Sequence, residues 1–485
     1  MKKILSITFC LFSLLFSEAQ NKLSLNDVIN LAKEKSIRSK QIENRFQNSY
    51  WRNFSYKRQF LPSLVFDGTL PEIQRSISSV TQNDGSEIFV NRNVISNRAN
   101  LSINQIVPQT GGQFFVRSGL DNIQLSGNTK STTYLSRPVE IGYSQNIFGF
   151  NRFKWDKRIE PLFFDEAQLL KAEEIEMLSI EAVNRYFDLL RDQLSMENAE
   201  KNFMNNDTIY KIGKGRYSYG KISENELLQL ELSLLNSEMA FEQQKLNFEL
   251  SRQKLATFLG YSSQENIELF LDTIVPNFEV KYFEALDYAN QLHSQKVQQE
   301  REVIEAEMNV ARVKSENRFN FNLFASFGLS QTSDNVNDAY VSPQNQEFVS
   351  MGVNVPLIQW GLGKGRIKQA QANSDLVKST IEQERIDFDQ DIYEKVARFN
   401  LNKKQLKVSK RASEVAEKRF EVTKQRYLLG KIIITDLQIA QQEKDNALIS
   451  YIRAYRVFWQ SYYDIRRTTH YDFENRKIIE PDSER

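Results

Sequence analysis

Cysteine is all but missing from these 485 residues: the sole one, Cys10, sits in the apolar stretch Ile4–Phe16. With no second thiol the chain forms no internal disulfide and no thiolate metal site. Histidine is almost as scarce. His293 and His470 lie far apart without ligand spacing, so each is expected to be an ordinary surface residue. No serine, histidine and aspartate set or paired-carboxylate constellation stands out, and we expect neither an enzyme nor a cofactor. Charge of one sign is also lacking. The 63 Lys and Arg against 62 Asp and Glu leave a formal charge of +1, which argues against nucleic acid as a partner. Beyond the leader no apolar run reaches about 18 residues, so a chain that crosses a bilayer would cross it as strands.

The leader reads MKKILSITFCLFSLLFSEAQ, with two lysines, 13 residues from Ile4 to Phe16, and the small residues Ser17 and Ala19. That pattern predicts a secretory signal peptide over residues 1–19. Phe9 stands before Cys10 where a lipoprotein site would need a small residue, so no lipid anchor is expected.

Helix breakers are spread unevenly. Between Gly365 and Pro481 the only glycine or proline is Gly430, and between Pro161 and Gly260 there are only Gly213, Gly215 and Gly220. Such gaps permit helices of about 40 to 60 residues, several times the ordinary length. After Gly220, apolar residues recur every seventh position at Leu227, Leu234, Phe241, Phe248 and Leu255. The same positions displaced by 210 are Leu437, Lys444, Tyr451, Phe458 and Ile465, each followed three residues later by Ala440, Ala447, Ala454, Ser461 and Thr468. A strict seven-residue period predicts left-handed supercoiling, with small residues allowing close approach. A soluble coiled coil would show the same seam.

The strand signals remove that ambiguity. In FNFNLFASFGL, residues 319–329, an apolar set at Phe319, Phe321, Leu323, Ala325, Phe327 and Leu329 alternates with a mostly small or polar set. VSMGVNVPL, residues 349–357, alternates likewise, and about nine to eleven residues suffice for a tilted strand across a bilayer. The first half carries weaker copies around Leu64, Phe66 and Leu70 and around Val139, Ile141 and Tyr143. Between them lies extra sequence in which Leu101, Ile103 and Val107 alternate before the turn PQTGG, predicting an additional hairpin or an elaborated loop.

The chain is thus written twice. KGRYSYGKISENELLQ, residues 214–229, recurs at 424–439 as KQRYLLGKIIITDLQI, matching Tyr217, Gly220 and Lys221 with Tyr427, Gly430 and Lys431, and Glu226 with Asp436. The expected division is a signal peptide at 1–19, a first helix–strand–strand–helix repeat at 20–260, a linker at 261–280, a second repeat at 281–468, and a polar, peripheral tail at 469–485. WGLGKGR, residues 360–366, imitates a phosphate loop but lacks Gly-Lys-Ser/Thr. It and FGFNRFK at 148–154 are read as strand-to-helix corners needing positive φ. Phe148, Phe150, Phe153, Trp155 and Trp360 gather at those corners, either as a membrane-interface girdle or as junction packing.

These features together resemble the TolC-like outer-membrane efflux proteins: LSLNDVINLAKEKS opening the first helix, FLPSL entering the first strand, and the duplicated tyrosine, glycine and acid at the helix break. The resemblance implies an α+β membrane protein, a homotrimer with four strands per protomer in a twelve-stranded barrel continuous with a long coiled-coil helical barrel. It implies residence in outer-membrane lipid and service as the exit duct of tripartite efflux or type I secretion. The implied partners are a periplasmic adaptor and an inner-membrane transporter. By matching positions, Gly220, Lys221, Gly430 and Lys431 would form the adaptor-docking tip, and Glu226, Tyr427 and Asp436 the closing aperture. Ile432 and Ile439 stand where the best-known members place an arginine and an aspartate, so closure by packing rather than charge is expected. A periplasmic coiled-coil adaptor without a pore is the competing expectation; it would lack the paired alternating strands.

Overall fold

The computed structural model describes residues 22–126, 130–262, 267–271 and 275–479; the expected signal peptide, with Cys10, lies outside the described residues. In chain order the helices are α1 (Leu25–Lys35), α2 (Ile37–Arg58), α3 (Arg152–Ser218), α4 (Glu224–Phe258), α5 (Tyr282–Leu292), α6 (Ser294–Glu316), α7 (Leu362–Leu428) and α8 (Ile434–Thr469). The strands are β1 (Lys22–Leu23), β2 (Ser63–Thr81), β3 (Glu87–Val107), β4 (Gly112–Ser126), β5 (Ser131–Ile147), β6 (Glu268–Leu269), β7 (Asn320–Ser333), β8 (Gln344–Asn354), β9 (Tyr471–Asp472) and β10 (Lys477–Ile478). The described residues fall into two compact units: those of 22–47, 167–296 and 385–479, which are mostly helical, and those of 48–166 and 297–384, which carry the large sheet. The chain passes from one unit to the other inside α2, α3, α6 and α7.

In the helical unit, α1 starts where Ser24 and Asp27 close a capping box: the Asp27 N–H donates to Ser24 Oγ, and the Ser24 N–H donates to Asp27 Oδ2 at 2.9 Å. Its apolar face, Leu25, Val28, Ile29 and Ala32, is buried. The helices α3 and α7 each run for 67 residues, roughly 100 Å at about 1.5 Å per residue. The predicted seam holds: Leu255, Leu437, Phe458 and Ile465 are buried, as are Ala440 and Thr468. Lys444 keeps its place in that seam by donating to Asn202 Oδ1 at 3.2 Å and lying over the Phe420 ring at 4.5 Å. The main core of this unit gathers Tyr186, Phe187, Leu190, Leu255, Phe399 and Phe458 from four helices.

Two expectations fail in this unit. His293 and His470 are not surface residues; they come together beside Glu173, with His470 Nε2 3.1 Å and His293 Nδ1 3.6 Å from Glu173 Oε1. The tail, expected at the periphery, inserts Tyr471 and Phe473 into the core, where Tyr471 stacks on Tyr288 at 4.0 Å. Aromatic residues spaced two apart in an otherwise polar stretch were the overlooked signal.

The sheet unit holds one six-stranded antiparallel sheet in the order β2-β3-β4-β5-β7-β8. The predicted strands are present, and the extra first-half sequence is a full hairpin, β3 and β4, turning at the predicted PQTGG with Gly111 at φ 78°. At the strand-to-helix corners the positive φ falls on Phe148, Trp360 and Gly361, not on Gly149 or Gly365 as the glycines suggested. Phe148 packs edge-on against Phe319 at 5.6 Å and Phe153 against Phe60 at 5.9 Å, which is junction packing, whereas Trp360 is 95% exposed.

Candidate channel wall and helix tips

The sheet has two chemically distinct faces because strand side chains alternate. One face carries Leu64, Ile103, Val116, Ile141 and Phe327 in register across five strands, and the next row carries Phe114, Tyr143, Ala325 and Val349. Most of these apolar side chains are exposed. The other face is polar and closed in upon itself: Asp121, Glu140 and Ser326 are buried there. Arg117 makes a two-pronged bond to Glu140 at 2.7 and 2.8 Å, and Arg137 donates to Asp121 at 2.9 Å, with Arg98 3.5 Å from the same carboxylate. Phe115 lies over Gly142, where an added Cβ would clash with its ring, and stacks on Phe324 at 5.8 Å. One apolar face and one face of ion pairs is the side-chain pattern that transmembrane β-strands carry.

In the helical unit, both tip turns close in the same way. The Gly220 N–H donates to Tyr217 O at 2.9 Å and the Lys221 N–H to Arg216 O at 2.9 Å; Gly430 donates to Tyr427 O and Lys431 to Arg426 O at 2.8 and 3.0 Å. These paired bonds define Schellman turns, which need a residue in the left-handed region, and the two glycines have φ of 66° and 70°. An added Cβ at either would meet nothing within 4 Å, so the requirement is conformational and not steric. Ser223 then caps α4 by accepting from the Glu226 N–H at 3.2 Å, whereas Ile433 offers α8 no side-chain cap.

The two turns, 210 residues apart in sequence, are neighbours. Arg216 donates to Leu428 O at 2.7 Å, Gln229 donates to Gln438 at 3.1 Å, and Tyr427, Leu230, Leu437, Ile434 and Phe420 form a small core beneath them. Burial, reinforced by the charge of Glu226, pushes the Tyr427 hydroxyl above its ordinary range. Lys221, Lys431 and Asp436 are exposed, and Glu226 is half-buried. Ile432 packs against the tip core, while Ile439 is exposed. Arg216, which ties one turn to the other, was missed by sequence reasoning although it recurs as Arg426. No group of His, Cys, Asp and Glu able to hold a metal occurs among the described residues, and no described helix is long and apolar enough to cross a membrane.

An alternating sheet with one apolar face, together with heptad-patterned helices that turn at duplicated glycines, makes a fold shared with solved outer-membrane channels. Its fold is similar to that of the Campylobacter jejuni CmeC outer membrane channel, with a TM-score of 0.66 at 14% identity over 93% of this chain and 87% of that one. It is similar too to the Vibrio cholerae outer membrane protein VceC, TM-score 0.62 at 12% identity over 92% and 95% of the two chains. The open state of the Neisseria gonorrhoeae MtrE outer membrane channel gives a TM-score of 0.62 at 13% identity over 93% and 90%. No curated protein matches the sequence. Residues 285–467 match the family described as Outer membrane efflux protein. The family match over the second half and the shared fold over nearly the whole chain agree with the resemblance read from the sequence.

Proposed function

We propose that this channel works as a homotrimeric exit duct in a tripartite efflux or type I secretion assembly, its helix tips opening when a periplasmic adaptor docks. One observation carries the reading: an exposed heptad on α7. Leu401, Val408, Val415 and Val422, with Leu429 just past the helix end, recur every seven residues and are exposed in the single chain. On α4, Leu228, Leu232, Leu235 and Met239 form a second exposed stripe at helical spacing. Two unsatisfied apolar seams on long helices call for neighbouring helices, and copies of the same chain supply them. A pore-free adaptor has no use for the six-stranded sheet.

At the tip, Gly220 with Lys221 and Gly430 with Lys431 offer two equivalent exposed turns to the adaptor. Glu226, Tyr427 and Asp436 belong to the closing constriction, which is held more by the apolar packing around Tyr427 and Ile432 than by ion pairs. The test separates backbone from contact. Asn tolerates positive φ, so Gly220→Asn with Gly430→Asn keeps the turns, whereas Val at both sites strains each by about 1–2 kcal/mol. Trimer yield from outer membranes and export of a reporter drug are read together. We expect Val variants to remain as membrane trimers and lose export; export at the native rate would sink the docking role, and recovery as monomers would sink the duct.

A further inference from the structure

The hairpin β3–β4 does not hang from the sheet; it sits in the middle of it. The strand β2 bonds to β3 through Ser63–Asn104 to Thr81–Glu87, and β5 bonds to β4, while β2 and β5 are not neighbours in the sheet. Lifting the hairpin out as a loop or a plug would sever β2 from the rest. The hairpin also carries both faces without interruption. Ile103 and Val116 continue the outer apolar row from Leu64 to Ile141 and Phe327, and Ser102 and Arg117 continue the inner polar row to Glu140. Its inner charges are bonded into the wall, Arg117 to Glu140 and Asp121 to Arg137, both partners on β5.

Among the described residues β2 and β8 each have one strand neighbour, so both edges of the sheet are open. An open edge in hydrocarbon leaves backbone groups unsatisfied at several kcal/mol each. Six alternating antiparallel strands put β2 and β8 in opposite directions, so the β8 edge of one copy meets the β2 edge of the next as an ordinary antiparallel pair. Their outer faces match as well, with Leu64 and Phe66 on β2 and Val349, Met351 and Val353 on β8 all exposed and apolar.

We infer that the barrel wall takes six strands from each copy, with β3–β4 as lipid-facing wall and with the β2 and β8 edges closed by second copies of this chain. In the trimer proposed above, on which this count rests, the barrel has eighteen strands instead of twelve. Barrel diameter grows roughly linearly with strand number, so the outer pore is about 1.5 times as wide and about twice as large in cross-section. A wider outer mouth suits bulkier cargo.

The experiment uses the full chain, whose mature form is expected to be free of thiols. Leu101→Cys and Val116→Cys, each labelled with a fluorophore in reconstituted vesicles, are exposed to brominated acyl chains or to aqueous iodide, with Phe327→Cys as the reference. We expect bromolipid to quench both several-fold more than iodide, as at the reference; iodide-dominated quenching would overturn the wall assignment. In parallel, Phe66→Cys is paired with Cys at Val349, Met351 or Val353 and oxidised. Covalent trimers are the expected product. Intramolecular bridges would overturn closure by second copies, and dimers that go no further would refute the trimeric duct while the quenching still decides the six-strand wall.

Discussion

Arg466 near the end of α8 offers the sharpest energetic test, because one guanidinium serves three elements. It donates from Nε and Nη2 to Glu176 of α3 at 3.0 and 3.2 Å, and from Nη1 to Asp472 of β9 at 2.7 Å and to the Tyr462 hydroxyl at 3.2 Å. Glu176 and Asp472 are 2% and 1% exposed. Arg466→Met keeps most of the packing but removes the guanidinium from two buried carboxylates, leaving Glu176 with Lys33 at 3.9 Å and Asp472 with the Glu474 and Asn475 donors, and breaking such buried pairs costs about 3–5 kcal/mol. Arg466 is one of the groups that outweigh burial and hold Asp472 below its ordinary range, so without it Asp472 binds a proton more readily and the loss is greatest at neutral pH and shrinks in acid. If that desolvation argument holds, adding Glu176→Gln and Asp472→Asn to Arg466→Met recovers much of the loss, since amides cost less than charges to bury unpaired. The assay is the thermal midpoint of detergent-extracted protein for the single, double and triple variants, with coupling energies taken from the cycles. A loss below about 1 kcal/mol for Arg466→Met, or strict additivity in the triple variant, would refute the reasoning.

Acid should loosen the helical unit through the same region. Burial, partly offset by Glu173, drops His293 to about 4 from its ordinary 6.5, and Glu173 lies below its ordinary value because His470, His293 and the Ser294 N–H outweigh its burial. Both shifts act in one direction: the unfolded chain binds more protons than the folded one, so stability falls as pH drops from about 6.5 towards 4. For His293 alone the loss at pH 5 is on the order of 2 kcal/mol, to be read from denaturant midpoints across that range and set against His293→Gln, which should flatten the curve. Gly142→Ala should cost about 1–3 kcal/mol, because the new Cβ displaces the Phe115 ring from its stack on Phe324; unchanged heat-modifiability of the barrel would contradict it. Tyr427→Ala should remove about 3 kcal/mol from the small tip core and raise the resting single-channel conductance, whereas Tyr427→Phe should leave closure nearly intact. Glu at both Val408 and Val415 should shift the extracted protein from trimer to monomer by light scattering, since both side chains are expected in the helix seam between copies.

What the sequence determined by itself was everything written in a short period. Alternation at Phe319–Leu329 separated the two faces of β7, the heptads named the buried seam from Leu437 to Ile465, and the scarcity of glycine and proline announced very long helices, though the structure's 67 residues exceed the about 40 to 60 expected. These are local statements, because a face or a seam is decided by neighbours a few residues away. Gly220 and Gly430 were legible for the same reason, since a helix end with an αL residue announces itself in its own turn. Tertiary structure decided what depends on distance in space. Only packing brings Arg216 to Leu428, seats His293 and His470 against one carboxylate, and draws Tyr471 and Phe473 out of a polar tail into the core. Only strand pairing inserts β3–β4 between β2 and β5, because no single strand carries in its own pattern the identity of its neighbour.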